Sequence, residues 1–427
     1  MLDIKRIRKE TEAVTEALLK RMDQVDFTEL FQWDDRRKEI ILEVEELKAK
    51  RNKVSKEIPT LARNGEDVTP LKEEMKKIGE DIKEMDGELK ELQDKINYFL
   101  ATLPNIPDDD VLPGGKENNQ VLRVWGDMPK FEYTPKNHVD LVTDLKLIDY
   151  ERGVKLGGNG FWLYKGDGAL LEWALLNFFV EEHTRDGYEF ILPPHILNYE
   201  CGFTAGQFPK FDEDVYYLED EEKDNKNKQF ILPTSETALV NIHRDEMINE
   251  EELPKKYFAY SPCYRMEAGS HRAEERGMIR GHQFNKVEMF QFTTPEQSGE
   301  AIQELIGKAE KLVQKLGLHH RVVKLAAKDA SASMAITYDI EVWIPSMNIY
   351  KEVSSASNSK DYQARRGNIR FKRKDGKQKD FVHTLNASGL ATSRLIPAIV
   401  EQFQQEDGSV KVPEVLRKWI NKEYLRA

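Results

Sequence analysis

Five residues in the stretch 264–292 have the types and spacing to do chemistry together. Arg265 and Glu267 lie two apart ahead of a charged loop, 271–276, and Phe284, Lys286 and Glu288 follow it at the same spacing. The flanking segments are apolar and alternate, which predicts a β-hairpin with a long tip. Residues two apart share one face of a strand. One face then carries a guanidinium, two carboxylates, an ammonium and an aromatic ring. Burying that set in a core would be prohibitive, so the face is expected to line a cleft. Arginine offers a planar fork to a phosphate, and phenylalanine can stack on a purine. Glu288 could hold a substrate ammonium group. The alternative is a salt-bridged surface hairpin, since charge runs are usually solvated.

Composition limits what can position such a face. The chain has 427 residues, enough for two or three domains, and carries a net charge of −12. A negative total argues against general nucleic-acid binding, so any RNA site must be a local basic patch. No apolar run of about 18 residues occurs, so no membrane partner is expected. Residues 1–22 lack an apolar signal core. Two cysteines, Cys201 and Cys263, provide no disulfide framework and no zinc spacing. A reducing, cytoplasmic setting fits.

Residues 3–22 read as a first helix with Asp3 as N-cap and a stripe of Ile4, Ile7, Val14, Leu18 and Leu19. Then Ile40, Val44, Leu47, Arg51, Val54, Ile58 and Leu61 follow a 4-3-4-3 spacing. The spacing resumes from Leu71 through Met75, Ile78, Ile82, Met85, Leu89, Leu92 and Ile96 to Phe99. A sustained period of 3.5 residues predicts two helices wound on each other. Asn64-Gly65 is a turn signal and Thr69-Pro70 an N-cap and first turn, so the arms form an antiparallel hairpin about 40–45 Å long. Pro59 is expected to kink the first arm. Lys48, Lys50, Arg51, Lys53, Lys56 and Arg63 make its distal half basic. Two readings stay open: a coiled-coil dimer with solvated charges, or a basic flank laid along RNA phosphates.

Residues 104–136 are rich in Pro, Gly, Asp and Asn and read as a linker, with a short strand at 121–125. The expected organisation is an arm (1–103), this linker, and an α+β domain (137–427). Within that domain, 140–150 reads as helix and the Gly-rich 153–162 as turns. An apolar helix at 168–184 leads to a strand at 188–192. Strands at 215–218 and 229–232 flank an acidic and lysine-rich loop. Thr234-Ser235-Glu236 opens a helix at 236–248, either as an N-cap or as a polar site loop. A helix at 295–316 and strands at 322–325, 335–344 and 350–358 follow. The basic run 366–378 is an RNA-facing loop or a solvated hairpin tip. A strand from His383 then meets a helix at 395–405.

The order Arg-x-Glu, loop, Arg-x-His-Gln-Phe-x-Lys-Val-Glu resembles motif 2 of class II aminoacyl-tRNA synthetases, closest in wording to the seryl-tRNA synthetase family. The opening Leu-Asp-Ile-Lys, the heptad arm, Glu352-Val-Ser-Ser-Ala-Ser-Asn358 and the 383–394 stretch fit the same family in the same order. The resemblance implies an antiparallel sheet flanked by helices behind a helical arm. It implies that L-serine and ATP react to seryl-adenylate, and that the seryl group passes to tRNA(Ser), with tRNA(Sec) left open. In that reading Thr234, Ser235, Glu236, Arg265, Glu288 and Ser388 bind serine. ATP falls to Arg265, Met266, Glu267, Gly281, Phe284, Glu352, Val353, Ser354, Ser355 and Arg394. Glu352 and Ser355 hold Mg2+, and Arg265, Glu352 and Arg394 act in catalysis. Lys48, Arg51, Lys53 and Lys56 contact tRNA, and the apolar helix with its following strand forms a homodimer interface. Two departures stand out. The 271–277 loop differs from the usual wording, which bears on acceptor-end contacts. Ala387 replaces a glycine and is expected to add a methyl beside the serine pocket. The alternatives are a paralogue that makes seryl-adenylate for a non-tRNA acceptor or serves in resistance to a serine-like inhibitor, and a non-enzymatic coiled-coil scaffold, against which the retained Arg265, Glu288, Glu352 and Arg394 argue.

Overall fold

The computed structural model describes residues 1–218, 228–267 and 277–427. The loop 219–228, except Lys228, and the loop 271–276 lie outside the described residues. The chain forms two compact units, one of residues 2–15 with 23–103, the other of residues 1, 16–22 and 104–427.

The first unit is a helical hairpin. Its long helices are α1 (Thr28–Arg63) and α2 (Thr69–Thr102). The heptad positions Ile40, Val44, Ile78, Ile82 and Leu92 are buried together, with Trp33, Leu47, Met85 and Leu89 packed around them. Arg36 pairs with Glu88 at 2.9 Å and Lys50 with Glu74 at 2.5 Å, so the partner number falls as the first rises and the arms are antiparallel. Gly65 makes the turn at φ +81°, a conformation glycine adopts without a steric penalty. At 36 residues α1 is about 54 Å long, longer than expected because it begins twelve residues before the heptads and runs through Pro59. The N-cap of α2 is Val68 rather than Thr69, and the Thr69 amide donates to Asp67 at 2.9 Å. The expected first helix is broken into Ile4–Lys9 and Thr11–Leu19, and Leu19 is exposed rather than on the buried stripe. Asp3 caps it as expected. Buried Asp34 ties Ile4–Lys9 to the hairpin, accepting from Arg8 at 2.7 Å and Arg37 at 2.6 Å.

The second unit is built on eight strands: β1 (Gln120–Trp125), β2 (Glu189–Ile191), β3 (Lys255–Tyr264), β4 (Gln283–Thr293), β5 (His320–Lys324), β6 (Ile336–Ile344), β7 (Ile349–Lys360) and β8 (His383–Ala391). Their order is β1-β5-β6-β7-β8-β4-β3-β2. Every neighbouring pair is antiparallel except β2 and β3. The helices α3 (Asp167–Arg185), α4 (Ser298–Leu316) and α5 (Thr392–Gln402) pack on it. Alternation along β4 explains why two cores form. Val287 and Met289 enter the larger core, whereas Phe290 and Phe292 enter a second one across the sheet. Glu288 shares the Phe290 face, at the point where that face opens into a cleft.

Several expectations change here. The short strand expected at 121–125 is β1, but it is an edge of the large sheet rather than part of a free linker, paired to β5 some 200 residues later in the chain. Residues Tyr150–Gly157 are helical rather than turns, because Asp149 caps them and Gly153 lets Trp162 pack against the helix backbone. The helix expected at 140–150 is His138–Asp144. The helix expected at 236–248 stops after Glu236–Leu239, and the chain turns through Asp245 at φ +61° into a strand at Met247–Asn249. Of the basic run, Arg366 is buried with its guanidinium on the Phe203 and Phe208 carbonyls. Arg373 is tied to Glu296 and Asp380, while Lys372, Lys374 and Lys377 are exposed on a hairpin tip.

Candidate active site

The cleft is assembled by the ends of β3, β4, β7 and β8 with the first turn of α5. Arg265 follows directly on β3, and Arg394 lies in the first turn of α5. Both line one cavity with Glu267, Gly281, Phe284, Glu352 and Val353. Arg394 donates to the Glu352 carbonyl at 2.9 Å and meets its carboxylate at 3.4 Å. The Arg265 guanidinium sits 5.2 Å from the Phe284 ring centre, a cation–π contact. Glu267, at φ +51°, is held by Arg280 at 2.5 Å. Gly281 is required by close approach, since a methyl there would come within 2.1 Å of the Trp162 ring.

A second cavity, about 350 Å³ and continuous with the first through Arg265, Lys286, Glu352 and Ser388, is lined by Thr234, Glu236, Glu288, Asn386 and Ser355. That volume accommodates an amino acid beside part of a nucleotide. Its charges are buried and networked. Lys286 pairs with Glu288 at 2.8 Å and donates to the Thr234 hydroxyl at 2.6 Å. Asn386 donates to Glu288 at 2.9 Å, and the Ser388 hydroxyl reaches Glu288 at 3.4 Å. Burial and then the neighbouring Glu288 charge push the Glu236 carboxyl up to about 7, against a hydrogen bond from Gln363. The result is a site with two carboxylates and one ammonium in low dielectric, suited to a zwitterion.

A third recess adjoins Glu352 and Ser355 and is lined by Asp339 and Glu341 of β6. Strand register explains it: Asp339 lies opposite Ser355, and Glu341 opposite Glu352. Burial and the Glu352 carboxylate push Asp339 well above the usual carboxylate range. Among the described residues, no group of three or more His, Cys, Asp or Glu is arranged to hold a metal by itself.

Not every expected residue reaches the cleft. Ser235 is fully buried with its hydroxyl 2.6 Å from that of Ser261. Ser354 donates to the Ser388 carbonyl at 2.6 Å instead of facing the cavity. Met266 is exposed, its amide on the Asp214 carbonyl. Ala387 belongs to the larger core, while Asn386 and Ser388 line the cleft, so its methyl points away from the pocket rather than into it. Sequence reasoning missed Asn386, although its two-residue offset from Ser388 places both on one strand face. It also gave Lys286 no partner and overlooked Gln363 and Asp339, whose proximity depends on the fold. On the arm, Lys53 and Lys56 line one shallow groove, Lys48 lies 3.9 Å from Asp86, and Arg51 is half-buried.

Comparison with known proteins matches this geometry. Residues 1–107 match the family model of the seryl-tRNA synthetase N-terminal domain, and residues 216–403 that of the tRNA synthetase class II core domain (G, H, P, S and T). The chain is 64% identical to serine--tRNA ligase 2 of Clostridium acetobutylicum, with 100% of both chains covered. It is 46% identical to the serine--tRNA ligase of Thermodesulfovibrio yellowstonii over the full length of both. A seryl-tRNA synthetase from Pyrococcus horikoshii, solved with ATP, superposes at a TM-score of 0.92 with 35% identity, covering 100% of this chain and 99% of that one. The cytoplasmic serine-tRNA ligase of Naegleria fowleri, solved with AMP, superposes at 0.86 with 29% identity, covering 100% and 99%. A heptad hairpin, an eight-stranded sheet and two arginines on one cavity, matched end to end by such relatives, place the chain in the seryl-tRNA synthetase family.

Proposed function

We propose that this chain activates L-serine with ATP and transfers the seryl group to tRNA(Ser). The serine carboxylate attacks the α-phosphate, forming a mixed anhydride and releasing pyrophosphate. The terminal adenosine hydroxyl of the tRNA then attacks the seryl carbonyl and AMP leaves. Neither step needs a covalent enzyme nucleophile, so catalysis is positioning and charge neutralisation. The observation that carries this reading is the shared cavity of Arg265, Phe284, Glu352 and Arg394, opening onto the buried Thr234, Glu236, Lys286 and Glu288 set.

In this reading Arg265 bridges the α-phosphate and the serine carboxylate, and Arg394 meets the γ-phosphate. Phe284 offers its ring to the adenine as the Arg265 guanidinium shifts towards phosphate. Glu288 takes the serine ammonium, and Thr234, Glu236 and Ser388 complete the pocket. Alanine is rejected because those buried polar groups would be left unpaired, and threonine by bulk. Glu352 and Ser355 supply hard oxygens that would hold Mg2+ together with a triphosphate. When bound, the ion neutralises charge on the phosphates.

Lys48, Arg51, Lys53 and Lys56 make the arm the RNA-facing element, through backbone and shape rather than bases. The direct test is ATP-dependent transfer of labelled serine to tRNA(Ser). Changing those four residues to Ala is expected to cut transfer while leaving serine-dependent pyrophosphate exchange intact. Exchange without transfer in the unaltered chain would instead mark an adenylate donor for another acceptor. We infer a homodimer from Leu170 and Trp173 of α3, which are 48% and 55% exposed. Light scattering that gave the mass of one chain, 49.6 kDa, would dismiss it. The two free thiols fit a reducing cytoplasm, and among the described residues no helix is long and apolar enough to cross a membrane.

A further inference from the structure

Gln363 lies in the short helix Tyr362–Arg366, is 1% exposed, and lines none of the cavities described above. Its side chain nevertheless makes four hydrogen bonds. The amide nitrogen donates to the Glu236 carboxylate at 2.7 Å and to the Ala205 carbonyl at 3.0 Å. The amide oxygen accepts from the Thr384 hydroxyl at 2.7 Å and from the Ser359 hydroxyl at 3.2 Å. A carbonyl can only accept, and a hydroxyl can donate, so the orientation of the amide is determined by its surroundings. The nitrogen must face Glu236. With Oε1 of Glu236 fixed in this way, Oε2 is left towards Asn386, which reaches it at 3.4 Å and reaches Glu288 at 2.9 Å. The rotation of the Glu236 carboxylate in the amino-acid pocket is therefore set from beneath.

We infer that Gln363 is a positioning residue for amino-acid selection, holding Glu236 in rotation and charge so that serine affinity depends on a side chain serine never touches. The inference rests on the serine-activating reading above. The groups that face Glu236 act in both directions. Glu288 of β4 disfavours its ionisation, whereas Lys286 of β4, Arg265 beyond β3 and the Gln363 amide favour it. Gln363 at 2.7 Å, and Asn386 more weakly at 3.4 Å, contribute donors to Glu236 without contributing charge.

The test replaces Gln363 by Met in the full chain (Q363M), keeping length and volume while removing the donor. Ser359 and Thr384 lie 2.5 Å apart and can then satisfy each other. In serine-dependent pyrophosphate exchange, KM for serine is expected to rise about tenfold, the worth of one hydrogen bond to a charged group, with KM for ATP within about twofold. The acid limb of kcat/KM for serine is expected to move to higher pH, because Glu236 has lost a donor that favours its ionised form. Thr384→Val, which loosens the amide without removing it, is expected to act in the same direction by about threefold. An unchanged serine KM in Q363M would overturn the inference. So would equal rises in both KM values together with a lowered Tm, which is the behaviour of a packing residue. Failure of the unaltered chain to exchange with serine would instead refute the activity on which the inference rests.

Discussion

Arg394 and Glu352, at the end of the cleft proposed above to take the nucleotide, meet at 3.4 Å with 30% and 44% of their side chains open to water. Lys286 and Glu288, at the end proposed for the amino acid, meet at 2.8 Å with 7% and 1% open. An exposed pair is worth roughly 0–1 kcal/mol, so Arg394 and Glu352 can trade each other for a phosphate and a metal at little cost. Removing one partner of a buried pair leaves a stranded charge and costs about 3–5 kcal/mol. The nucleotide end is thus built to be rearranged by its ligand, and the amino-acid end to be in place before the ligand arrives. Recognition of a triphosphate tolerates the first arrangement because charge dominates. Discrimination between serine and alanine requires the second, because it rests on one hydroxyl finding partners already fixed.

The comparison can be broken in several ways. Arg265 belongs to both cavities, so Arg265→Ala is expected to abolish serine-dependent pyrophosphate exchange, and near-normal exchange would remove its assignment. Breaking each ion pair separately tests the contrast itself. Lys286→Met is expected to lower unfolding free energy by about 3–5 kcal/mol, whereas Glu352→Gln should change it by less than about 1 kcal/mol while slowing exchange. Equal losses of stability in denaturant titrations would erase the distinction between the two ends. The smallest effect is in pH. Glu236 is raised to about 7, so it gains its charge only as pH rises through that value. KM for serine is therefore expected to fall between about pH 6 and 8 with KM for ATP nearly flat, and a parallel drift of the two would detach Glu236 from the amino acid.

Legibility followed the range of the contacts. The 4-3-4-3 spacing picked out Ile40, Val44, Val54, Ile78, Ile82, Leu92 and Ile96, which are buried, because their partners are neighbours along the same hairpin; it missed Leu30 and Leu100, which lie beyond the heptads. Alternation within β4 likewise placed Glu288 on the cleft-facing side, and the family resemblance, not periodicity, pointed to Ser388. Errors arose where a segment's partner is distant. The Pro- and Gly-rich 104–136 showed the strand at 121–125 but not that it joins the large sheet, because its ladder is completed only by β5. The helix opened at Glu236 was overestimated because nothing local announces that Asp245 turns back to bond the Gly367 carbonyl. Ser235 was placed with Thr234 and Glu236 as a ligand, yet Ser261 of β3 draws its hydroxyl inward.

From its residue order alone the chain determined a heptad hairpin, the faces of its motif strands and the chemical types gathered on them, since periodicity and residue type are local properties. Only the tertiary structure decided which charges are buried as pairs, that the Ala387 methyl enters the core, and that Gln363 lies under Glu236. Those outcomes depend on which strand or helix lies alongside, and a pattern of apolar and polar residues specifies that a face is covered without specifying by what.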